Sequence, residues 1–251
     1  MIELKTADEI EAIARAGAII ARLFEQLPAR VGAGVTTGQI DAFADEFIRA
    51  HQGAKPAFKG LYGFPRSVCI SVNEEVVHGI PRDDRVLAEG DIVSVDVGVK
   101  LDGWYTDAAV TLPVGAVDSE TRRLLDVTEA SLMDGIREAR SGRRLGDVGH
   151  AIQTTAESAG FSVVRDLVGH GLGRSLHEEP QVPNFGKPGR GLALRPGLVI
   201  AIEPMVNQGT PEVHTLDDKW TIVTADRLKS AHFEHTVAIT EEGPRILTRL
   251  G

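Results

Sequence analysis

The sequence predicts an α+β domain in which an antiparallel sheet carries helices on one side. Three observations indicate this class: two amphipathic helices precede a group of strands, the same order recurs later in the chain, and a hairpin joins two long strands. A short internal match supports the recurrence, because 34–40 aligns with 142–148 at an offset of 108 residues. We therefore expect one domain over 1–251, built from two similar halves of about 1–113 and 114–251, with a site where the halves meet.

Capping residues and stop signals predict four helices. In the first helix, Thr6 and Glu9 form a capping box, and in the third either Asp118 or Ser119 is the N-cap. The predicted helices cover about 7–26, 37–51, 119–140 and 146–159. Besides the hairpin, strands are predicted at 67–72, 161–164, 198–203, 220–224 and 232–240.

The longest predicted strands form a hairpin over 90–112, in which valines alternate with small or polar residues. Asp96 and Asp107 lie symmetrically about its turn. If Val99 pairs with Trp104, the two carboxylates are directly opposite, whereas pairing of Leu101 with Trp104 makes them diagonal neighbours on one face. Either register brings two like charges together, which indicates a bound cation, a shared proton or a solvated face.

Two more acids and a histidine extend this pattern. Glu203 ends an apolar strand and Glu234 lies within one, where an ionised carboxylate is costly without a partner. His170 and His177 belong to a segment with three alternate glycines, predicted to be a loop of unusual conformation that approaches a ligand closely. Each residue alone is also compatible with a solvated acid or a histidine bonded to the backbone. Four buried carboxylates with one imidazole predict two divalent ions, of Co, Mn, Fe or Zn.

The overall composition limits the partners. The chain has 251 residues, a formal net charge of −9 and 42% hydrophobic residues, which is typical of soluble globular proteins and disfavours nucleic-acid binding. Its single cysteine, Cys69, leaves no intramolecular disulfide and suits a reducing compartment. There is no secretory signal and no apolar run of membrane-spanning length. We expect a cytoplasmic monomer without membrane or direct nucleic-acid partners.

Six segments follow the order and spacing of one known family: NEEVVHGIP at 73–81, DIVSVDVG at 91–98, TD at 106–107, GHGLG at 169–173, IEPM at 202–205 and FEHT at 233–236. With them the chain resembles the type I methionine aminopeptidases of metallopeptidase family M24. Only thirty residues separate Glu203 from Glu234, too few for the helical insertion of type II enzymes. No zinc-binding N-terminal extension is present, which resembles bacterial or organellar members.

The resemblance implies the pita-bread fold and removal of the N-terminal methionine from nascent proteins and peptides with a small second residue. It further implies that Glu203 is the general base, that His177 steadies the developing oxyanion, and that His78 contacts the scissile amide nitrogen. Two divalent metal ions would activate a water and the substrate carbonyl, with Asp107 and Glu234 bridging them. The implied ligands are Asp96, Asp107, His170, Glu203 and Glu234.

The resemblance also implies an apolar pocket for the methionine side chain, formed by Phe58, Leu61, Phe64, Cys69, Leu176 and Trp220. Cys69 and Trp220 match the family, whereas the other four differ from its Cys, Tyr, Tyr and Phe, and for each of the six plain core packing is the alternative. Two other functions stay open: an Xaa-Pro type aminopeptidase of the same fold, and a non-catalytic peptide-binding relative. Docking at the ribosome is also left open.

Overall fold

The computed structural model describes residues 2–250. Over these residues it has four α-helices: α1 (Ala7–Gln26), α2 (Thr37–Arg49), α3 (Ser119–Glu138) and α4 (Leu145–Ser158). Its strands are β1 (Ala54–Pro56), β2 (Cys69–Val72), β3 (Glu75–Val77), β4 (Ile92–Leu101), β5 (Trp104–Pro113), β6 (Ser162–Val163), β7 (Gly169–Gly171), β8 (Glu178–Val182), β9 (Val199–Ile202), β10 (Met205–Asn207), β11 (Val213–Thr215), β12 (Ile222–Thr224), β13 (Ser230–His232), β14 (Glu234–Ile239) and β15 (Pro244–Ile246). Short 3-10 turns cover Leu27–Ala29 and Leu61–Gly63.

Nine of these strands form one antiparallel sheet in the order β1-β4-β5-β14-β9-β7-β8, with β2 on β4 and β15 on β14. Two three-stranded sheets, β13-β10-β6 and β11-β12-β3, complete the described fold. Each contains a strand that comes directly before or after a strand of the large sheet in the chain. The predicted α+β class with an antiparallel sheet is confirmed.

Both helix pairs pack on the same face of the large sheet. Alternate valines of β4, including Val95 and Val97, are fully buried against α1 and α2, and Ile200 and Val237 are fully buried against α3 and α4. Strand pairing aligns these residues, because β5 pairs with β4 on one side and β14 on the other. Each such side chain contributes about 1.5 to 3 kcal/mol when fully buried. The other face of the hairpin is therefore left for polar chemistry.

The helices begin where their capping residues predict. Thr6 and Glu9 form the capping box of α1, with the Thr6 N–H donating to the Glu9 carboxylate at 2.9 Å. Of the two candidates for α3, the N-cap is Asp118, which accepts the Thr121 N–H at 2.7 Å. Such caps stabilise a helix by about 1 kcal/mol. Over residues 2–250, no helix combines the length and apolar character needed to cross a bilayer.

Two strand predictions need correction. The strand predicted at 232–240 is broken at Phe233, whose N–H donates to the Pro204 carbonyl at 3.4 Å, so β13 and β14 enter different sheets. The strand predicted at 220–224 begins at Ile222, because the Asp218 carboxylate accepts the N–H groups of the two residues before it, each at 2.8 Å.

The glycine segment 169–173 was predicted to be a loop of unusual conformation, and this is wrong at its start. Gly169 to Gly171 form strand β7, without positive φ values. Close packing explains the glycines instead. A Cβ on Gly169 would lie 2.3 Å from the Ala201 carbonyl oxygen, and one on Gly171 would lie 2.3 Å from that of Glu179. Neighbouring backbones thus approach β7 more closely than any side chain allows.

Candidate metal centre

The hairpin adopts the second of the two predicted registers. Leu101 pairs with Trp104, Gly98 with Asp107, and Asp96 with Ala109. Asp96 and Asp107 are therefore diagonal neighbours on one face, opposite to the face of the buried valines. The residue facing Asp107 is Gly98, and the ring of Phe58 fills the space beside it, 2.5 Å from where a Cβ would lie.

One row of residues crosses four strands and brings a third carboxylate to this face. Cys69 on β2 pairs with Asp96 on β4, Asp96 with Ala109 on β5, and Ala109 with Glu234 on β14. Paired residues share a face, so Asp96 and Glu234 flank the small side chain of Ala109. Asp107 lies one step further along β5. Three acids thus converge although they are far apart in the sequence.

His170 on β7 and Glu203, which directly follows β9, also lie close to these acids. His170 Nε2 lies 3.7 Å from Asp107 Oδ2 and 3.6 Å from Glu203 Oε1. The Nδ1 of this ring lies 2.9 Å from the Gly171 carbonyl oxygen. Since a carbonyl only accepts, Nδ1 carries the proton and Nε2 presents its lone pair to the acids. Asn184 fixes the backbone of Glu203 by donating to its carbonyl oxygen at 2.9 Å.

Burial dominates the electrostatics of these groups. Desolvation, and then the neighbouring carboxylates, raise the pKa of Asp96, Glu203 and Glu234, and desolvation raises the pKa of Asp107 to about 7. For His170, burial and then the nearby His177 lower the pKa to about 4. A neutral imidazole therefore faces acids that resist ionisation unless a positive charge joins them.

The donor set fits a divalent cation. Asp96 Oδ1, Asp107 Oδ1 and Glu234 Oε1 are buried and have no hydrogen-bond partner, which is costly for an isolated carboxylate. Donor atoms of Asp107, His170 and Glu234 all lie within 4.8 Å of one another. Carboxylate oxygens with one imidazole nitrogen suit divalent ions of the first transition row better than soft thiophilic ions.

A cavity of about 580 Å³ joins the acids to an apolar compartment. The six side chains predicted to form a pocket all line it: Phe58, Leu61, Phe64, Cys69, Leu176 and Trp220. They also pack on one another, and the rings of Phe64 and Trp220 meet edge to face with centroids 5.1 Å apart. Core packing and pocket formation are therefore not exclusive alternatives for these residues.

The two histidines predicted to contact substrate line the same cavity. The ring of His177 meets that of His170 with centroids 4.5 Å apart. His78 has a φ of 60°, a left-handed conformation that costs a non-glycine residue of the order of 1 kcal/mol or more. Burial lowers the pKa of both His78 and His177. Both rings are thus neutral near pH 7.

Two residues at the site were missed by sequence reasoning. Tyr62 is 76% exposed, has a φ of 51°, and stacks on His177 with ring centroids 6.0 Å apart; nothing in its sequence context indicates this. His232 is 2% exposed, and its Nε2 lies 3.9 Å from Glu203 Oε2. Burial lowers the pKa of His232 to about 3. In the alternating run 232–240, His232 has the same parity as Glu234, and this could have indicated that His232 belongs to the site.

The sequence profile of metallopeptidase family M24 matches residues 11–241. The chain belongs to this family. Among its M24 relatives, "Methionine aminopeptidase 1" of Bacillus subtilis (strain 168) is 52% identical over 250 residues, covering 100% of both chains. The "Methionine aminopeptidase" of Clostridium perfringens (strain 13 / Type A) is 53% identical over 248 residues, covering 99% of both. As an M24 metallopeptidase with the donor set described above, the chain uses divalent metal.

Solved structures agree with this assignment. The methionine aminopeptidase from Thermotoga maritima superposes with a TM-score of 0.97 at 48% identity and covers 100% of both chains. The prolidase from Pyrococcus furiosus has a TM-score of 0.79 at 22% identity and aligns with 99% of this chain and 66% of its own, which shows a shared fold alone. The M24 resemblance and the pita-bread fold predicted from the sequence are both confirmed.

Proposed function

We propose that this chain removes the N-terminal methionine from peptides and nascent proteins whose second residue is small. The observation that carries the proposal is the cavity in which a set of buried acids opens onto an apolar compartment of side-chain size. The full-length relatives at about half identity, which are methionine aminopeptidases, support the same activity. The buried acids would also attract the positive α-amino group of a free chain end.

We propose that the centre holds two divalent ions, drawn from Co, Mn, Fe and Zn. The proposed ligands are Asp96, Asp107, His170, Glu203 and Glu234. The three carboxylate oxygens without partners support this number, since one ion leaves part of the acid set uncompensated. When bound, such ions polarise the scissile carbonyl and lower the pKa of the attacking water.

The proton transfers fall to the chain's own residues. Glu203 is proposed as the general base, which accepts the proton of the attacking water and delivers it to the leaving amine. His177 would donate a hydrogen bond to the carbonyl oxygen as negative charge develops there, and His78 would contact the scissile amide nitrogen. Burial favours the neutral form of both rings, so each can donate without adding a charge.

The apolar end of the cavity is proposed to receive the methionine side chain. Phe64 and Trp220 supply aromatic edges, which make favourable contacts with a thioether sulfur. Cys69 forms part of the same wall, and burial and the nearby Asp96 raise the pKa of its thiol, so that it remains an uncharged wall. By the resemblance, Phe58, Leu61, Phe64 and Leu176 stand where well-known members of the family have other residues, which makes selectivity against leucine the property to measure.

We propose that the protein acts as a monomer in the cytoplasm, on chains that emerge from the ribosome. The donor set is complete within one chain, so the site needs no residue from a second copy. The single cysteine, which is free and buried, supports a reducing compartment. Nascent chains present their N-terminal methionine at the ribosome, which makes that the setting where this activity is needed.

The test is release of the N-terminal residue from three peptides, Met-Ala-Ser, Leu-Ala-Ser and Ala-Pro-Ser, by chelator-treated protein with Mn(II) or Co(II) restored. We expect release from the methionine peptide, and elemental analysis should find two ions per chain. Asp107→Ala should reduce that metal content, whereas unchanged stoichiometry would refute its role as a ligand. Release chiefly from Ala-Pro-Ser would instead favour the Xaa-Pro class. If no residue is released from any of the three peptides, the result would favour a non-catalytic relative.

A further inference from the structure

The side chain of His232 is buried beside the carboxylate of Glu203 without a role in the site described above. Its Nε2 has no hydrogen-bond partner and no contact with solvent, and the whole residue is 2% exposed. The group that faces this nitrogen is Glu203 Oε2, at 3.9 Å. A buried polar atom left unpaired costs about 1 to 3 kcal/mol, so its presence needs an explanation.

The backbone of His232 is held firmly in this position. The hydroxyl of Thr111 accepts the His232 N–H at 2.9 Å and donates to the His232 carbonyl oxygen at 2.7 Å. Because that donation uses the only hydroxyl proton of Thr111, the contact of 2.8 Å between Thr111 and Ser94 must use the Ser94 proton. All three residues are buried. The hydroxyls that hold the His232 backbone thus have hydrogen-bond partners, whereas Nε2 of the His232 ring has none.

The two oxygens of Glu203 face different rings. Oε1 lies 3.6 Å from His170 Nε2, and Oε2 lies 3.9 Å from His232 Nε2. His170 Nε2 presents a lone pair, because its Nδ1 donates to the Gly171 carbonyl. His232 carries no such restriction at Nε2, so this nitrogen can carry the ring's proton. Glu203 is therefore placed between one imidazole that does not donate to it and one that can.

We propose that His232 is a positioning residue, whose Nε2–H donates a hydrogen bond to Glu203 Oε2 and holds that carboxylate in its working orientation. The inference rests on the proposed function, in which Glu203 is the base. Closing the gap from 3.9 Å to a normal hydrogen bond of about 2.9 Å requires a side-chain shift of about 1 Å. Hydrogen bonds at catalytic sites are often long in the free enzyme and tighten when substrate binds.

The experiment compares His232→Leu, which removes the donor at similar size, with His232→Gln, which keeps an N–H donor. His150→Leu, at an exposed position on α4, is the control. Mn(II) titration by calorimetry on chelator-treated protein gives stoichiometry and affinity, and turnover of Met-Ala-Ser gives kcat and KM. Thermal unfolding checks that each variant is folded.

We expect His232→Leu to lower kcat, Mn(II) affinity or both by about 10- to 100-fold, at unchanged stoichiometry and with a smaller change in KM. His232→Gln should recover most of the loss, and His150→Leu should match the wild type. A leucine variant within twofold of wild type in both kcat and affinity overturns the proposal. A glutamine variant as impaired as leucine also overturns it, since the donor would then be irrelevant.

Loss of one Mn(II) equivalent in His232→Leu, without the same loss in Glu203→Gln, would make His232 a ligand, which again contradicts a positioning role. Failure of the proposed function is distinguishable from these outcomes. In that case the wild type itself releases no methionine, while the Mn(II) affinities of wild type, leucine and glutamine variants still report whether His232 holds Glu203.

Discussion

Removal of divalent cations should make the stability of this protein fall as pH rises above about 7.5. The cause is the set of buried acids, whose pKa values are raised by desolvation and by one another. In the unfolded chain these groups ionise near pH 4. The folded chain binds their protons more tightly, so their stabilising contribution is complete at low pH and is lost as pH rises through the folded-state pKa.

Histidines act in the opposite direction but over a different range. Burial lowers the pKa of His170 to about 4 and that of His232 to about 3, whereas an unfolded histidine titrates near 6.5. Stability from these groups, and from the other histidines whose pKa is lowered by burial, therefore rises with pH between about 4 and 7.5. Above about 7.5 they are neutral in both states, so the window from about pH 7.5 to 8.5 isolates the acids.

The magnitude follows from Asp107, with a pKa of 3.8 unfolded and about 7 folded. Linkage then leaves about 0.2 kcal/mol of this stabilisation at pH 7.5, and it is gone at pH 8.5. Every other buried acid that keeps its proton through this range removes up to about 1.4 kcal/mol more per pH unit. With one such acid the expected loss is about 1.5 kcal/mol, or about 3 to 6 °C in Tm for a chain of this size.

The assay is thermal unfolding of chelator-treated protein across this pH range, with and without excess Mn(II). Mn(II) should raise Tm, by an amount that grows with pH, because ligation requires the ionised acids. Asp107→Asn, which cannot ionise at this position, should reduce the pH dependence of the metal-free protein. The reasoning is refuted if metal-free protein is at least as stable at pH 8.5 as at pH 7.5. It is also refuted if the rise in Tm caused by Mn(II) does not change with pH.

Three further predictions concern catalysis, the pocket and the frame of the site. Glu203→Gln should lower kcat at least about 100-fold with the fold retained, measured by methionine release and circular dichroism; near wild-type turnover would contradict the general-base role. Gly98→Ala should lower the free energy of unfolding by about 1 to 3 kcal/mol and reduce kcat/KM for methionine peptides. The reason is that its Cβ would lie 2.5 Å from the ring of Phe58. An unchanged urea unfolding curve would contradict this prediction. Lys5→Met should lower the free energy of unfolding by about 3 to 5 kcal/mol, because the buried Lys5 ammonium lies 2.7 Å from the Glu178 carboxylate. Lys5→Arg, which keeps the charge, is the control. An equal loss of stability in both variants would indicate that packing rather than charge is responsible.

Local signals predicted the helices and about half of the described strands. Caps and glycine stops gave all four helices to within about two residues, because N-cap hydrogen bonds are short-range and depend on few side chains. Alternation predicted the hairpin, but it left two registers open. The observed register has a two-residue turn, in which Asp102 and Gly103 have φ values of 50° and 85°. An Asp-Gly pair is typical of such a turn, so the local sequence did contain the signal that chooses between the registers.

The break at Phe233 shows the other limit. An alternating run predicts one strand, yet the backbone leaves one sheet and enters another between His232 and Glu234. The cause is a tertiary contact, in which Phe233 donates to the Pro204 carbonyl. Similarly, the glycines at 169 and 171 were correctly singled out, but for the wrong reason, since close packing of neighbouring backbones is invisible until the sheet is assembled.

The row of paired residues across β2, β4, β5 and β14, which includes Asp96 and Glu234, also bears on the order of biosynthesis. Asp96 and Asp107 leave the translating ribosome early, whereas Glu234 is added 127 residues after Asp107. The strand that carries Glu234 lies between β5 and β9 in the sheet, so the donor set is incomplete until that strand is inserted. During its own synthesis the chain therefore lacks a working centre, and any trimming of its N-terminus at that stage must be performed by another, already finished molecule.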